Sequence, residues 1–181
     1  MHPGFWWLLV ALGAQRLAEM ATARRNVRHL LASGARLVSD DGYGLLVTTH
    51  SLFFLVAAVE ALLAPWARIG PWTLPGLGLL IAGELLRGWA MLALGGRWTT
   101  RIVILPKAPL VAGGPYRWVR HPIYVGVTMM IVGFPLAFGL WGTLGVAGAL
   151  NLVALARRIR REDRALATLV TGPVRGPEGN A

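Results

Sequence analysis

The densest run of chemically useful residues in this chain lies between Arg97 and Gly126, in the stretch RWTTRIVILPKAPLVAGGPYRWVRHPIYVG. Tyr116, Arg120, His121 and Tyr124 fall within nine positions there, bracketed by Gly113-Gly114-Pro115 and by Gly126. About thirty residues further on, Arg158 and Glu162 are four apart and therefore share one helix face, with Asp163 beside them and Leu166 on the same face. Tyrosine rings pack on planar or cationic groups, and a carboxylate binds hydroxyls or an ammonium. Arginine clamps an anion, and histidine is the base whose ordinary pKa lies nearest neutrality. Together these types suit the recognition of a polar, charged small molecule. A plainer alternative is an aromatic belt with basic anchors at a membrane surface, but a belt requires no such order of glycines, prolines, tyrosines and histidine. In the same way Arg157, Arg160, Arg161 and Arg164 suit a patch for anionic headgroups, which Glu162 and Asp163 would weaken.

The elements that must position these residues belong to a membrane protein. The 181 residues are 55% hydrophobic and 14% charged, with a mean hydropathy of +0.57, too few charges to cover an ordinary water-facing surface. Low polarity excludes disorder, and the absence of cysteine excludes a disulfide scaffold. A net charge of +10 on so apolar a chain points to a membrane face and not to nucleic acid. No metal site is expected. Three spans are read at residues 5–23, 45–64 and 74–94, the last ended by Gly95-Gly96. Residues 123–156 carry no charge. As one helix they would run about 51 Å, beyond the bilayer core, so a tight hairpin is placed near residues 138–142, where Gly139 and Gly142 lie. Pro122 suits a first helical position, which sets His121 at the mouth of the fourth span, at the positive end of its dipole. The expected fold is thus an all-α membrane protein of about five transmembrane helices, the last two a tight hairpin.

Charge placement gives the orientation. Fifteen basic residues fall in the connections on one side and in the tail, against Arg68 alone on the other. The positive-inside rule then puts the N-terminus outside and the C-terminus in the cytoplasm, in a cell inner (cytoplasmic) membrane. The first apolar segment lacks a basic leader and is followed by arginines, so it reads as a retained span and not a cleaved signal. One integral-membrane domain is expected: a three-span part over residues 1–96, a core over 97–170, and a Gly- and Pro-rich tail over 171–181 that frays. Within the spans, Arg16 and Glu19 are three apart, as are Glu84 and Arg87, so each pair can neutralise itself or face the bundle interior. His50 and Glu60 have no evident local partner. Interhelical glue and the lining of a substrate cavity both remain open for these groups.

The string Gly-Pro-Tyr-Arg-Trp-Val-Arg-His-Pro-Ile-Tyr-Val-Gly at 114–126, followed by Arg158-Ile-Arg-Arg-Glu162-Asp163 and Leu166, resembles the isoprenylcysteine carboxyl methyltransferase family of integral-membrane methyltransferases. Residues 16–28 are similar to the family's small bacterial branch, some of whose members methylate polyketide alkylpyrones. Related elements also occur in phospholipid N-methyltransferases and membrane sterol reductases. The resemblance implies S-adenosyl-L-methionine on the cytosolic side, contacted by Ala108, Pro109, Leu110 and Val111, by Tyr116, by His121, Pro122, Ile123 and Tyr124, and by Glu162. Arg101 occupies a further cofactor position. Arg158 would address the substrate, and His121 would position it or serve as its base. The family's usual acidic pair is Glu-Glu, here Glu162-Asp163, and Ala108 stands where a histidine is often found. The implied activity is methyl transfer to a lipophilic, lipid-like acceptor, a carboxylate or acidic hydroxyl of isoprenylcysteine-like or alkylpyrone-like kind, with membrane lipids as surroundings. A nicotinamide-dependent (NADPH) reductase of the sterol-reductase type and a non-catalytic lipid-binding protein are the alternatives.

Overall fold

The computed structural model describes residues 3–38, 42–64, 66–106 and 108–170, with side chains described as far as residue 167. The tail expected to fray and Lys107 lie outside the described residues. Five helices form in chain order: α1 (Pro3–Ala32), α2 (Tyr43–Leu63), α3 (Thr73–Leu94), α4 (Pro122–Phe138) and α5 (Trp141–Val170). Two short strands, β1 (Arg36–Leu37) and β2 (Val103–Ile104), pair antiparallel, Arg36 opposite Ile104 and Leu37 opposite Val103.

The punctuation expected from sequence operates where it was read. Gly95 closes α3 at φ +53, where other residues are strained, and Pro122 opens α4 with His121 at its N-cap. Gly139, at φ +67, makes the turn between α4 and α5. α1 is longer than its apolar stretch. Nothing between residues 24 and 32 breaks a helix, so it continues past the hydrophobic part until Ser33 and Gly34, the latter at φ +85. Among the described residues, α2 and α3 (the latter with the 3₁₀ turn that follows it to Arg97) are long and apolar enough to cross a membrane, and α4 is apolar but has 17 residues. The described residues form an all-α architecture of five helices, consistent with a membrane protein.

The β1–β2 pair was not anticipated, although the run Ile102, Val103 and Ile104 is β-branched. Its partner Arg36-Leu37 is too short to announce a strand. The pairing matters because it ties the α1–α2 connection to the α3–α4 connection, so both basic loops lie at one end of the bundle. Val38 N–H extends the ladder by donating to Ile102 O at 3.0 Å.

α3 and α4 form the tightest pair, and glycine is the reason. A Cβ on Gly83 would come within 2.7 Å of Gly126 O, one on Gly133 within 2.6 Å of Leu80 N, and one on Gly76 within 2.3 Å of Ala137 N. The glycines are seven apart on each helix, so each pair falls on the same stripe and the two backbones touch. At the far end of the bundle, Phe5 of α1, Phe53 of α2, and Phe134 and Phe138 of α4 form one aromatic cluster with ring centroids 5.1 to 5.8 Å apart. All four are buried.

Two polar devices complete the frame. Glu60, near the end of α2, accepts from Gly142 N at 2.9 Å, Thr143 N at 2.6 Å and Thr143 Oγ1 at 2.7 Å. Its carboxylate therefore caps the N-terminus of α5 from another helix, satisfying donors that no residue of α5 can reach. The second device joins α1 to α3. Arg16 binds Glu19 at 2.6 Å and Glu84 at 2.9 Å, while Arg87 binds Glu84 at 2.8 Å and Glu19 at 2.6 Å. Gln15 donates to both carboxylates. The two pairs read from sequence as self-neutralising are thus cross-linked into one four-charge clamp with no net charge.

Candidate active site

The end of the bundle that carries the basic loops opens into a cavity of about 580 Å³. Its mouth is built from the segment between α3 and α4, from the start of α4 and from the last turns of α5. Its deeper wall is built from α1 and α2. Of the residues expected at a site, Arg101, Tyr116, His121, Ile123, Tyr124, Arg158 and Glu162 all line it, and so does Leu166. Residues 101 and 166, on separate elements, thus face one space.

The bonding at the mouth is specific. Tyr124 hydroxyl donates to Glu162 Oε2 in a short hydrogen bond. Arg158 Nε donates to the same hydroxyl at 3.3 Å, and its Nη2 donates to Thr100 O at 2.9 Å. Arg158 is buried, so these bonds hold a cation in place inside the protein. His121 lies parallel to Tyr124 at 5.4 Å between centroids, 21° apart, and its Nε2 meets Asp163 Oδ1 at 3.3 Å. Since a carboxylate only accepts, that geometry assigns the proton to Nε2. Tyr116 sits in the 3₁₀ turn Gly114–Arg117, whose Gly114 has φ +59 and so needs no Cβ beside Trp89 and Ala93. Burial, and then the negative charge of Glu162, push the Tyr116 phenol up, so it stays a neutral donor at physiological pH.

Other expected residues lie apart from the cavity. Ala108, Pro109, Leu110, Val111 and Pro122 do not line it. Leu110 is exposed, and Pro109 O accepts from Arg97 Nη1 at 2.7 Å. This bond pins their segment beside the mouth, because Arg97 itself lines the cavity. Pro122 is fully buried in the start of α4 and acts there as a helix opener.

Sequence reasoning missed several participants. Asp163 was noted only as half of an acidic pair, yet it is the partner of His121. Tyr43, the first residue of α2, lies under the Arg101 guanidinium at 5.2 Å from its ring centroid. The β1–β2 pairing brings those two loops together. Arg16, Glu19 and Arg87 of the four-charge clamp line the deeper cavity, as does His50. The helix spacing of Arg16, Glu19 and Arg87 signals a shared face, but nothing in the sequence says which space that face meets.

The profile of the isoprenylcysteine carboxyl methyltransferase (ICMT) family matches residues 76–168, which take in most of α3, all of α4, most of α5 and nearly every residue of the mouth. Among curated proteins, the uncharacterised YpbQ of Bacillus subtilis is 37% identical over 162 residues, 90% of this chain and 96% of its own length. An uncharacterised protein of Haemophilus influenzae is 27% identical over 86% of this chain and 91% of its own length. The protein-S-isoprenylcysteine O-methyltransferase of Xenopus laevis is 33% identical over 67% of this chain and 43% of its own length. No solved structure matches. The matched region holds the tyrosines, the histidine, the buried arginine and the glutamate of the cavity mouth, and on these grounds the chain belongs to the isoprenylcysteine carboxyl methyltransferase family, a family of membrane methyltransferases.

Proposed function

We propose that this protein transfers a methyl group from S-adenosyl-L-methionine to a lipophilic acceptor at the cytosolic face of a cell inner membrane. One observation carries the reading: a single cavity has a mouth of tyrosine, histidine, arginine and carboxylate groups and a deeper wall of α1 and α2 side chains such as Leu17, Leu46 and Phe54. A water-borne donor and a bilayer-borne acceptor need two such halves in contact.

The donor set fits a sulfonium nucleoside. Glu162 offers a carboxylate for ribose hydroxyls or an ammonium, Tyr116 and Tyr124 offer rings for adenine or a cation, and Arg101 and Arg158 offer positive charge for a carboxylate. His121, stacked on Tyr124, completes that wall. Bound there, the donor supplies an electrophilic methyl group. The protein's part is alignment and exclusion of water, because a single displacement needs the reacting atoms in line above all. Arg158, buried and held by Thr100 O and Tyr124, presents a fixed cation at the mouth. The end of α5 roofs the mouth with Glu162 and Leu166.

The membrane arrangement that accompanies this reading has five spans, the N-terminus outside and the C-terminus in the cytoplasm. The β1–β2 pairing supports it by gathering the basic connections at one end. The chain has no cysteine, so single introduced cysteines report sidedness directly. Ala112→Cys is expected to react with a membrane-impermeant thiol reagent only after the cytosolic face is opened, and Gly70→Cys in intact cells.

The deciding experiment is equilibrium binding of tritiated S-adenosyl-L-methionine to the purified protein, followed by recovery of label in organic-extractable material. Saturable binding that is lost in Tyr116→Ala and Glu162→Ala is expected. A wild-type protein that binds no donor would sink the proposal.

A further inference from the structure

The mechanism above leaves a histidine of the cavity unused. His50 lies on α2, seven residues and hence about 10 Å along the helix from Tyr43 at the cavity mouth. It lines the deeper part, among apolar neighbours that include Val47 and Phe54. Its Nδ1 lies 2.8 Å from Leu46 O. A carbonyl oxygen only accepts, so Nδ1 carries the proton and Nε2 is left with a lone pair. Nε2 has no hydrogen-bond partner among the described residues, and the backbone bond fixes the ring so that this lone pair is a standing feature of the cavity.

The neighbouring charges do not compete for that role. Arg16 and Arg87 are bound to Glu19 and Glu84 at 2.6 to 2.9 Å, and the four charges cancel. Among the described residues the deep cavity thus carries no net positive charge to hold an anion, and an imidazole lone pair would repel one. It offers a hydrogen-bond acceptor that can become a proton acceptor, in apolar surroundings. His121, the other histidine of the cavity, sits at the mouth with its Nε2 on Asp163.

We propose that His50 recognises the reacting hydroxyl of the acceptor and takes its proton, so that the acceptor is a long-chain molecule presenting a neutral hydroxyl and not a carboxylate. This rests on the methyl-transfer reading given above. As the acceptor oxygen bonds to the methyl carbon, the methyl–sulfur bond of the sulfonium donor breaks and its electron pair stays on sulfur. The hydroxyl proton passes to His50 Nε2. The proton then leaves to solvent through the mouth of the cavity.

Two measurements on the full chain in lipid nanodiscs test this. The first uses no donor and compares binding of 3-pentadecylphenol with that of its methyl ether, which cannot donate a hydrogen bond. Wild-type protein is expected to prefer the phenol about tenfold, one hydrogen bond's worth, and His50→Leu to bind the two alike. The second follows transfer from tritiated S-adenosyl-L-methionine. His50→Gln is expected to lose about a hundredfold in transfer to the phenol while binding the donor as the wild type does, which also reports that it is folded. The proposal is overturned by an unchanged phenol preference in His50→Leu, or by transfer in His50→Gln within threefold of wild type. It is equally overturned if the wild type methylates N-acetyl-S-farnesylcysteine, a carboxylate, and ignores the phenol. Absence of donor binding in the wild type, with the phenol preference intact, overturns the methyl-transfer reading and the proton step while keeping His50 as the group that reads the hydroxyl.

Discussion

Two charged clusters border the same cavity and are built on opposite plans. In the α1–α3 clamp, each carboxylate meets both guanidinium groups and Gln15, so the charges of Arg16, Glu19, Glu84 and Arg87 are matched within the cluster. At the mouth, Glu162 takes a phenol hydroxyl, Arg158 leans on a backbone carbonyl and that same hydroxyl, and His121 meets Asp163 at 3.3 Å. The clamp is closed, with charge matched to charge. At the mouth, the Tyr124 hydroxyl and the Thr100 carbonyl are neutral groups that orient Glu162 and Arg158. A cluster that holds helices together spends its charge internally, whereas one that binds a ligand keeps charge to offer.

That contrast can be broken from either side, beginning with the clamp. Arg87→Leu leaves Glu19 and Glu84 sharing Arg16 inside the bundle, and unpairing a buried charge network costs about 3–5 kcal/mol. A large loss of thermal stability in detergent is expected. A shift in melting temperature within error of wild type would mean that the clamp holds nothing. Glu162→Gln, by contrast, removes charge from the mouth while keeping its shape. Losing a charge-assisted hydrogen bond of about 1.5–3 kcal/mol should weaken donor binding roughly 10- to 100-fold at nearly unchanged stability. If stability falls as much as in Arg87→Leu, the two clusters do not differ in kind.

Smaller effects sharpen the frame around the two clusters. Gly126→Ala puts a methyl group 2.6 Å from Gly83 O and 2.4 Å from Arg87 Cγ, so it strains the α3–α4 seam and the clamp together. Overpacking of this kind costs about 1–3 kcal/mol, and Gly88→Ala, which meets nothing, is the matched control. Glu60→Gln replaces the carboxylate that caps α5 and should cost about 1 kcal/mol by chemical denaturation, leaving donor binding intact because it acts at the opposite end of the bundle.

Much of this was legible in the order of residues. Gly95, Pro122 and Gly139 mark helix ends because backbone geometry admits few alternatives there, and the spacing of Arg158 and Glu162 fixes a common face. The motif at 114–126, followed by the Arg158–Leu166 cluster, carried the resemblance to the family. The chain was silent wherever partners are distant in sequence. Glu60 finds Gly142 and Thr143 more than 80 residues away, and Tyr43 finds Arg101 through a ladder of two-residue strands. The placing of the 108–111 segment beside the mouth instead of in the cavity wall belongs to the same class, since the Arg97 bond to Pro109 O decides it.

What the sequence by itself determined is therefore local and compositional: apolar helices, their punctuation, the side that carries basic charge, and the residue types of a methyltransferase motif. Periodicity and backbone sterics suffice for these, because each depends on neighbours a few positions apart. Only the tertiary structure decided that the Arg16 and Arg87 pairs fuse into one neutral clamp, and that His50 shares a cavity with Tyr124 and Glu162. These depend on which helix faces meet, and residues far apart in sequence decide that, as the four glycines do where α3 and α4 touch.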